Sequence, residues 1–181
     1  MSRFVYRTAT ALSGHLADAE NSLEWLFAVS DAEGVADPSA GVGAIVQGAT
    51  TYEWVLAQEG LVESPERWAE FYGDTPVFVF TSRELPRPEG ADVRLVSGPV
   101  APLLPELRAA AGAGDVWLVG GGDLVGQFFD AGALDEITLT VAPVFLPTGA
   151  PLLPRRIESD RLTLAGVRQA GQFAELRYLL A

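Results

Sequence analysis

The sequence predicts an α/β domain whose mainly parallel sheet is finished by an antiparallel C-terminal hairpin, and three observations carry that expectation. Short, continuous apolar runs bounded by turn residues recur along the chain, which suits strands buried on both faces of a sheet. Helical patterns alternate with them as far as Ala131, the order expected of βαβ units. The last two runs are separated only by Gly171-Gln172, so they read as a hairpin.

Phe4 to Thr10 opens the chain as a strand. Leu23 to Val29 follows as a helix, with Leu23, Leu26 and Phe27 at helical spacing. Asp31 to Gly43, rich in Ala, Gly, Asp and Ser, reads as a long loop or a frayed helix end. Val42 to Gln47 is a mostly apolar strand that ends at Gly48, and Thr51 to Gln58 is the helix after it. Val77 to Thr81 is β-branched and aromatic throughout, hence a strand. Arg83 to Ala91 carries Pro86, Pro88 and Gly90 and forms a surface turn. Val93 to Val96 is a shorter strand, Leu103 to Ala111 a helix and Val116 to Val119 a fully apolar strand. Asp123 to Ala131 sets Leu124, Val125, Phe128 and Phe129 along one helix face, to pack on a sheet. Ile137 to Phe145, Leu162 to Ala170 and Phe173 to Leu180 complete the order β-α-β-α-β-β-α-β-α-β-β-β.

Composition narrows the function. The 181 residues and a 49% apolar content are enough for a substantial core, and one domain spanning 1–181 is expected. Acidic residues outnumber basic ones 24 to 12, a net charge of −12. That charge repels a nucleic-acid backbone, so no nucleic-acid partner is expected. The absence of Cys excludes disulfides, thiolate catalysis and Cys-ligated zinc, and a single His excludes a multi-histidine metal site within one chain. A Ser-His-Asp triad would have to use His15. The opening Met-Ser-Arg-Phe-Val-Tyr-Arg-Thr lacks the apolar stretch of a signal peptide. No apolar run approaches the ~20 residues that span a bilayer. A cytoplasmic protein with no membrane partner is the expectation.

Three strand-to-helix or strand-to-turn junctions could carry chemistry. In Asp115 to Phe129 a buried strand runs into Gly120-Gly121-Gly122 and then a helix. Glycines permit close approach of a ligand to the backbone, and the helix start offers unpaired N–H groups and a positive dipole end to a pyrophosphate. The spacing is not the G-x-G-x-x-G fingerprint, and the Asp123 carboxylate opposes a phosphate unless it points away. Gly48-Ala49-Thr50-Thr51-Tyr52-Glu53 is the second junction, where Thr50 or Thr51 could simply cap the helix. Thr81-Ser82-Arg83 is the third, with two hydroxyls and a guanidinium suited to a phosphate monoester. All three lie at the carboxyl ends of strands, where open α/β sheets bind ligands. His15, Glu24 and Asp31 are the candidate proton-transfer groups, and Asp135-Glu136 reads as a solvated strand entry.

Val116 to Leu153 resembles a stretch of the dihydrofolate reductase-like fold, in the branch that contains the reductase domain of bacterial riboflavin biosynthesis. Gly48 to Glu53 is similar to that family's Gly-Arg-x-Thr-Tyr-Glu segment, and Ala11 to Ala17 to its Ser-Leu-Asp-Gly-x-Ile-Ala segment. The resemblance covers nearly the whole chain. It implies a three-layer dihydrofolate reductase-like fold and a homodimeric, NADPH-dependent reductase of a small polar ring, with NADH as the alternative cofactor. It implies cofactor contacts at Gly48, Thr51, Thr81, Ser82, Arg83, Gly120, Gly121, Gly122, Leu124 and Val125. Trp25 and Thr140 would lie on the substrate side. Two departures stand out. Ala49 replaces the family Arg that helps to bind the cofactor phosphates, and Ser13 replaces an Asp. Both fit a second reading as well, a non-catalytic small-molecule or nucleotide binder with a degenerate reductase pocket.

Overall fold

The computed structural model describes residues 2–181. Its strands are β1 (Phe4–Ala11), β2 (His15–Ala17), β3 (Val42–Gly48), β4 (Val77–Phe80), β5 (Val93–Val96), β6 (Asp115–Gly120), β7 (Leu134–Ala142), β8 (Ala150–Pro151), β9 (Leu162–Ala170) and β10 (Phe173–Leu180). Its α-helices are α1 (Glu24–Phe27), α2 (Ala49–Glu59), α3 (Trp68–Tyr72), α4 (Leu104–Ala111) and α5 (Gly122–Asp130). Eight strands form one sheet in the order β5-β4-β3-β6-β1-β7-β10-β9, and β2 pairs with β8 in a separate ribbon. The strands from β5 to β7 run parallel, while β10 is antiparallel to both β7 and β9. The expected α/β class and the C-terminal hairpin are therefore present. Among the described residues no helix is long and apolar enough to cross a membrane.

Alternation along the buried strands divides the core. Ala44, Val46, Phe78, Val116 and Leu118 face α4 and α5, whose Leu107, Ala111, Val125 and Phe128 complete one layer. Ile45, Val77, Val79 and Val93 face the other way, toward Tyr52 and Leu56 of α2 and Trp68 of α3. This two-sided burial is why these strands read as continuous apolar runs.

Several elements differ from the sequence expectation. α1 is one turn long rather than spanning Leu23 to Val29, and none of its residues is fully buried. One turn has too few internal hydrogen bonds to sustain itself, and Phe27 instead stacks on Trp54 of α2, ring centroids 6.3 Å apart. The short helix at 65–72 was not anticipated; it exists because Trp68 packs beneath α2 against Tyr52 and Tyr72. β7 starts at Leu134 and ends at Ala142, leaving Phe145 outside and 77% exposed. Glu136 is not solvated but 3% exposed. It accepts hydrogen bonds from Arg3 at 2.9 Å and Arg177 at 2.7 Å, while Arg3 also clasps Asp115. Burial opposes the charge of Glu136, but Arg177, Arg3 and Arg7 outweigh it and hold the carboxyl below its ordinary pKa.

Candidate functional site

Parallel pairing brings the ends of β3, β4, β5 and β6 to one edge of the sheet, and a cleft of about 270 Å³ opens there. It is lined by Gly48, Phe80, Thr81, Ser82, Ser97, Gly98, Asp123, Leu124 and Gln127. The three junctions singled out in the sequence thus converge on one place. Ser97, Gly98 and Gln127 were not anticipated. The first two follow β5 in the same way that Ser82 follows β4, so the strand-end rule could have found them.

The glycine turn divides its labour. A Cβ on Gly122 would sit 2.4 Å from the Pro151 carbonyl oxygen and 2.6 Å from that of Leu152. Gly122 therefore exists for the protein's own packing. The partner backbone is held there by Tyr6, whose buried hydroxyl donates to the Leu152 carbonyl at 2.9 Å. A Cβ on Gly121, in contrast, meets no described atom within 4 Å. Gly121 is the residue whose bare backbone is open to a ligand. Gly48 lies directly across from it, its virtual Cβ 3.7 Å from the Gly121 nitrogen. Gly120 has φ +149°, a conformation in which a side chain is strained.

The residues around the turn show what can bind. Thr51 makes no capping bond, and its Oγ1 lies 3.9 Å from the virtual Cβ of Gly120, beside the turn. Val125 is a correction: its side chain is fully buried in the core and its N–H bonds the Gly121 carbonyl at 3.1 Å, so it offers a ligand nothing. Leu124 is half-buried and lines the cleft. Arg83 is a second correction. Its guanidinium turns to α2 and pairs with both Glu53 oxygens at 3.0 and 2.6 Å, and it does not line the cleft. The hydroxyl of Tyr52 donates to the Pro86 carbonyl at 2.7 Å. Tyr52 and Glu53 thus pin the 83–86 loop at the cleft mouth, which accounts for two residues of the Gly48–Glu53 segment without a ligand.

A second cavity, of about 320 Å³, lies at the same sheet edge beyond β7. Trp25, Val29, Pro143 and Val144 give it apolar walls, and Ser30 and Gln172 are its polar side chains. Trp25 is thus in a concave site. Thr140 is not: it sits within β7 opposite Ala9 and Glu175, away from both cavities. Glu24 is exposed at the start of α1 and lines neither cavity. Asp31 is a structural residue. Its carboxylate accepts the Glu33 N–H at 3.0 Å and its carbonyl accepts the Gln172 N–H at 3.0 Å, which docks the loop on the hairpin turn.

His15 is differently placed. Its Nδ1 is 3.0 Å from Ser13 Oγ, which also accepts the Leu146 N–H at 3.0 Å. The Leu12 N–H bonds the carbonyl of Val144, a wall of the second cavity. The Gly14 carbonyl accepts the N–H of Leu152, whose own carbonyl packs on Gly122. The 12–15 segment thus links the second cavity to the start of α5.

The family profile of the RibD C-terminal domain matches residues 4–174. The uncharacterized protein YwjB of Bacillus subtilis (strain 168) is 29% identical over 175 residues, which cover 96% of this chain and 95% of the relative. A solved Shewanella sp. PV-4 protein named for riboflavin biosynthesis superposes with TM-score 0.78 at 23% identity, covering 99% of both chains. The diaminohydroxyphosphoribosylaminopyrimidine deaminase/5-amino-6-(5-phosphoribosylamino)uracil reductase of Thermotoga maritima superposes with TM-score 0.67 at 15% identity. There the match covers 99% of this chain but 57% of the longer one. At these identities the superpositions speak to fold, and the fold is the dihydrofolate reductase-like one expected from the sequence.

Proposed function

The chain belongs to the RibD C-terminal domain family, and from that premise we propose that it is a nicotinamide-dependent reductase of a small polar ring of the pyrimidine, pterin or flavin kind. The observation that carries this reading is the convergence of Gly48, the Thr81–Ser82 strand end and the Asp123–Leu124 start of α5 on one cleft, with Gly121 beside Gly48. The fit to a dinucleotide is physical. Gly121 leaves open the space that a Cβ would fill. The first N–H groups of α5 have no intrahelical acceptor, and Thr51 offers a free hydroxyl beside the turn. Gly121, Gly48 and Thr51 would hold the pyrophosphate, and Thr81, Ser82, Ser97 and Gly98 the adenosine end. When bound, the nicotinamide supplies the hydride.

The chain's own part is binding, orientation and a proton. The apolar walls of the second cavity suit the faces of a flat ring stacked on Trp25, and Ser30 and Gln172 suit its polar edge. The Ser13–His15 pair is the group best placed to hold a proton between the two cavities. Glu24 lines neither cavity and Asp31 is engaged in its own loop, so neither is assigned the proton in this reading. Two copies would pair through the outer face of the C-terminal hairpin, where Leu164 and Val167 are 53% and 65% exposed.

The test is calorimetric titration of the folded protein and of Gly121→Val with NADH and NADPH, together with loss of nicotinamide absorbance in the presence of pyrimidine or pterin substrates. Binding to the parent chain and its loss in the folded variant are expected. Unchanged affinity in folded Gly121→Val would remove the site.

A further inference from the structure

We propose that the adenosine end of the cleft selects the dinucleotide without a 2′-phosphate, NADH over NADPH, and that Asp123 and Glu53 decide the choice. The inference rests on the nicotinamide reading above and deepens it. It comes from the charges at the cleft. Thr81, Ser82 and Ser97 line it with neutral hydroxyls, and Gln127 adds a neutral amide. Among the described residues, Asp123 is the one ionisable side chain that lines it.

That carboxylate is kept ionised. Arg155 donates to one of its oxygens at 3.0 Å and Gln127 to the other at 3.2 Å, and these two bonds hold its pKa below the ordinary value. Arg155 does not make the place positive, because it is shared with Asp130 at 2.8 Å. Two carboxylates and one guanidinium leave a net negative charge beside the wall. The next cation, Arg83, follows Thr81 and Ser82 in the chain, but both Glu53 oxygens hold it on the α2 side. At the start of α2 the residue is Ala49. Among the described residues that line the cleft or directly follow its strands, the cation positions are therefore neutralised or empty, and Arg87, further along the 83–91 loop, does not line it.

The two nucleotides differ by that one group. A phosphate monoester carries about −1.5 to −2 at neutral pH. A ribose 2′-hydroxyl carries no charge and donates a hydrogen bond to a carboxylate. An acidic side chain has this ribose-reading role in dinucleotide folds of other topology. Asp123 attracts the hydroxyl and repels the phosphate, and the chain's net charge of −12 adds to the repulsion. Glu53 acts at one remove, by withholding Arg83.

Calorimetry of the full chain with NADH and NADPH at one ionic strength tests this. NADH should bind at least about tenfold more tightly, and equal affinities or tighter NADPH would overturn the proposal. Glu53→Gln should release Arg83, tighten NADPH about tenfold and leave NADH where it was. Asp123→Asn should narrow the preference from both sides. Preference intact in both variants, each folded by circular dichroism, would overturn the assignment to these two residues. If neither nucleotide binds the parent chain, the cofactor reading fails and this proposal with it; if both bind but NADPH wins, only the proposal fails.

Discussion

The sheet is built differently on its two sides. From β5 to β6 both faces are apolar and both are covered, by α2 and α3 on one face and by α4 and α5 on the other. From β7 to β9 one face is charged: Arg3, Glu136 and Arg177 interlock on it, and Glu175, paired with Arg168, receives the Ala36 N–H from the 31–41 loop. Its other face carries Leu139, Leu176, Leu164 and Val167, of which the last two are well exposed. The first region derives its stability from close packing and can present open backbone at its strand ends. The second is held by ion pairs and leaves apolar side chains exposed.

Truncation in the first region should have the largest effect. Phe128 is fully buried, with Phe4 at 5.3 Å and Phe80 at 6.1 Å between ring centroids. Phe128→Ala should cost about 3–5 kcal/mol, read as a fall in the denaturation midpoint at unchanged m-value. A loss below about 1 kcal/mol would mean that α5 is not packed as described.

The matching change in the second region is Glu136→Gln, and it should cost less, about 2 kcal/mol, on the scale of hydrogen bonds to charged groups. Arg3 and Arg177 are 43% and 47% exposed, so water can solvate them once the charge is gone, which limits the loss. The same group sets a pH dependence. Its pKa in the folded chain lies below the ordinary 4.5. Its contribution is complete above that ordinary value and disappears as pH falls from there through the folded-state pKa. Melting curves of the parent and Glu136→Gln should converge in acid. A difference that persists or grows there would contradict the network.

What the sequence revealed follows the same division. The buried strands of the first region were legible because burial on both faces leaves an uninterrupted apolar run, as at Val77 to Phe80. The junctions were legible as glycine and hydroxyl residues at strand ends. Glu136 was not, because its partners Arg3 and Arg177 are adjacent only across neighbouring strands. Nor was the reason for Gly122, which is a carbonyl contributed by residue 151. The β2–β8 ribbon left no pattern, since strands of three and two residues are too short to show a period. Arg83 misled for a related reason: its place in the chain points to the cleft, and a partner in α2 turns it away.

The exposed face of the hairpin gives the next test. Val167→Asp puts a charge on a side chain 65% exposed in the single chain, so the folding of that chain should change by no more than about 0.5 kcal/mol. Light scattering at micromolar concentration should report twice 19.2 kDa for the parent and the single mass for the variant. A parent chain that scatters as 19.2 kDa at every concentration would remove the dimer.

The smallest change concerns Ala49, the first residue of α2, beside Gly48 and across from Gly121. Ala49→Arg would place a guanidinium where the cofactor phosphates are expected to pass. A charge-assisted hydrogen bond to phosphate should tighten NADPH about tenfold, near 1.4 kcal/mol. NADH shares the pyrophosphate that Gly48, Gly121 and Thr51 would hold, so it should gain about as much. The positive charge at a helix start should cost the fold only about 0.3–1 kcal/mol, and the variant therefore remains usable for titration. The outcome separates two accounts of the cleft. A comparable gain for both nucleotides would place the pyrophosphate between α2 and α5. No gain, or a gain for NADH alone, would mean that the dinucleotide does not cross this helix start, and the neutral glycine floor would have to serve some other ligand.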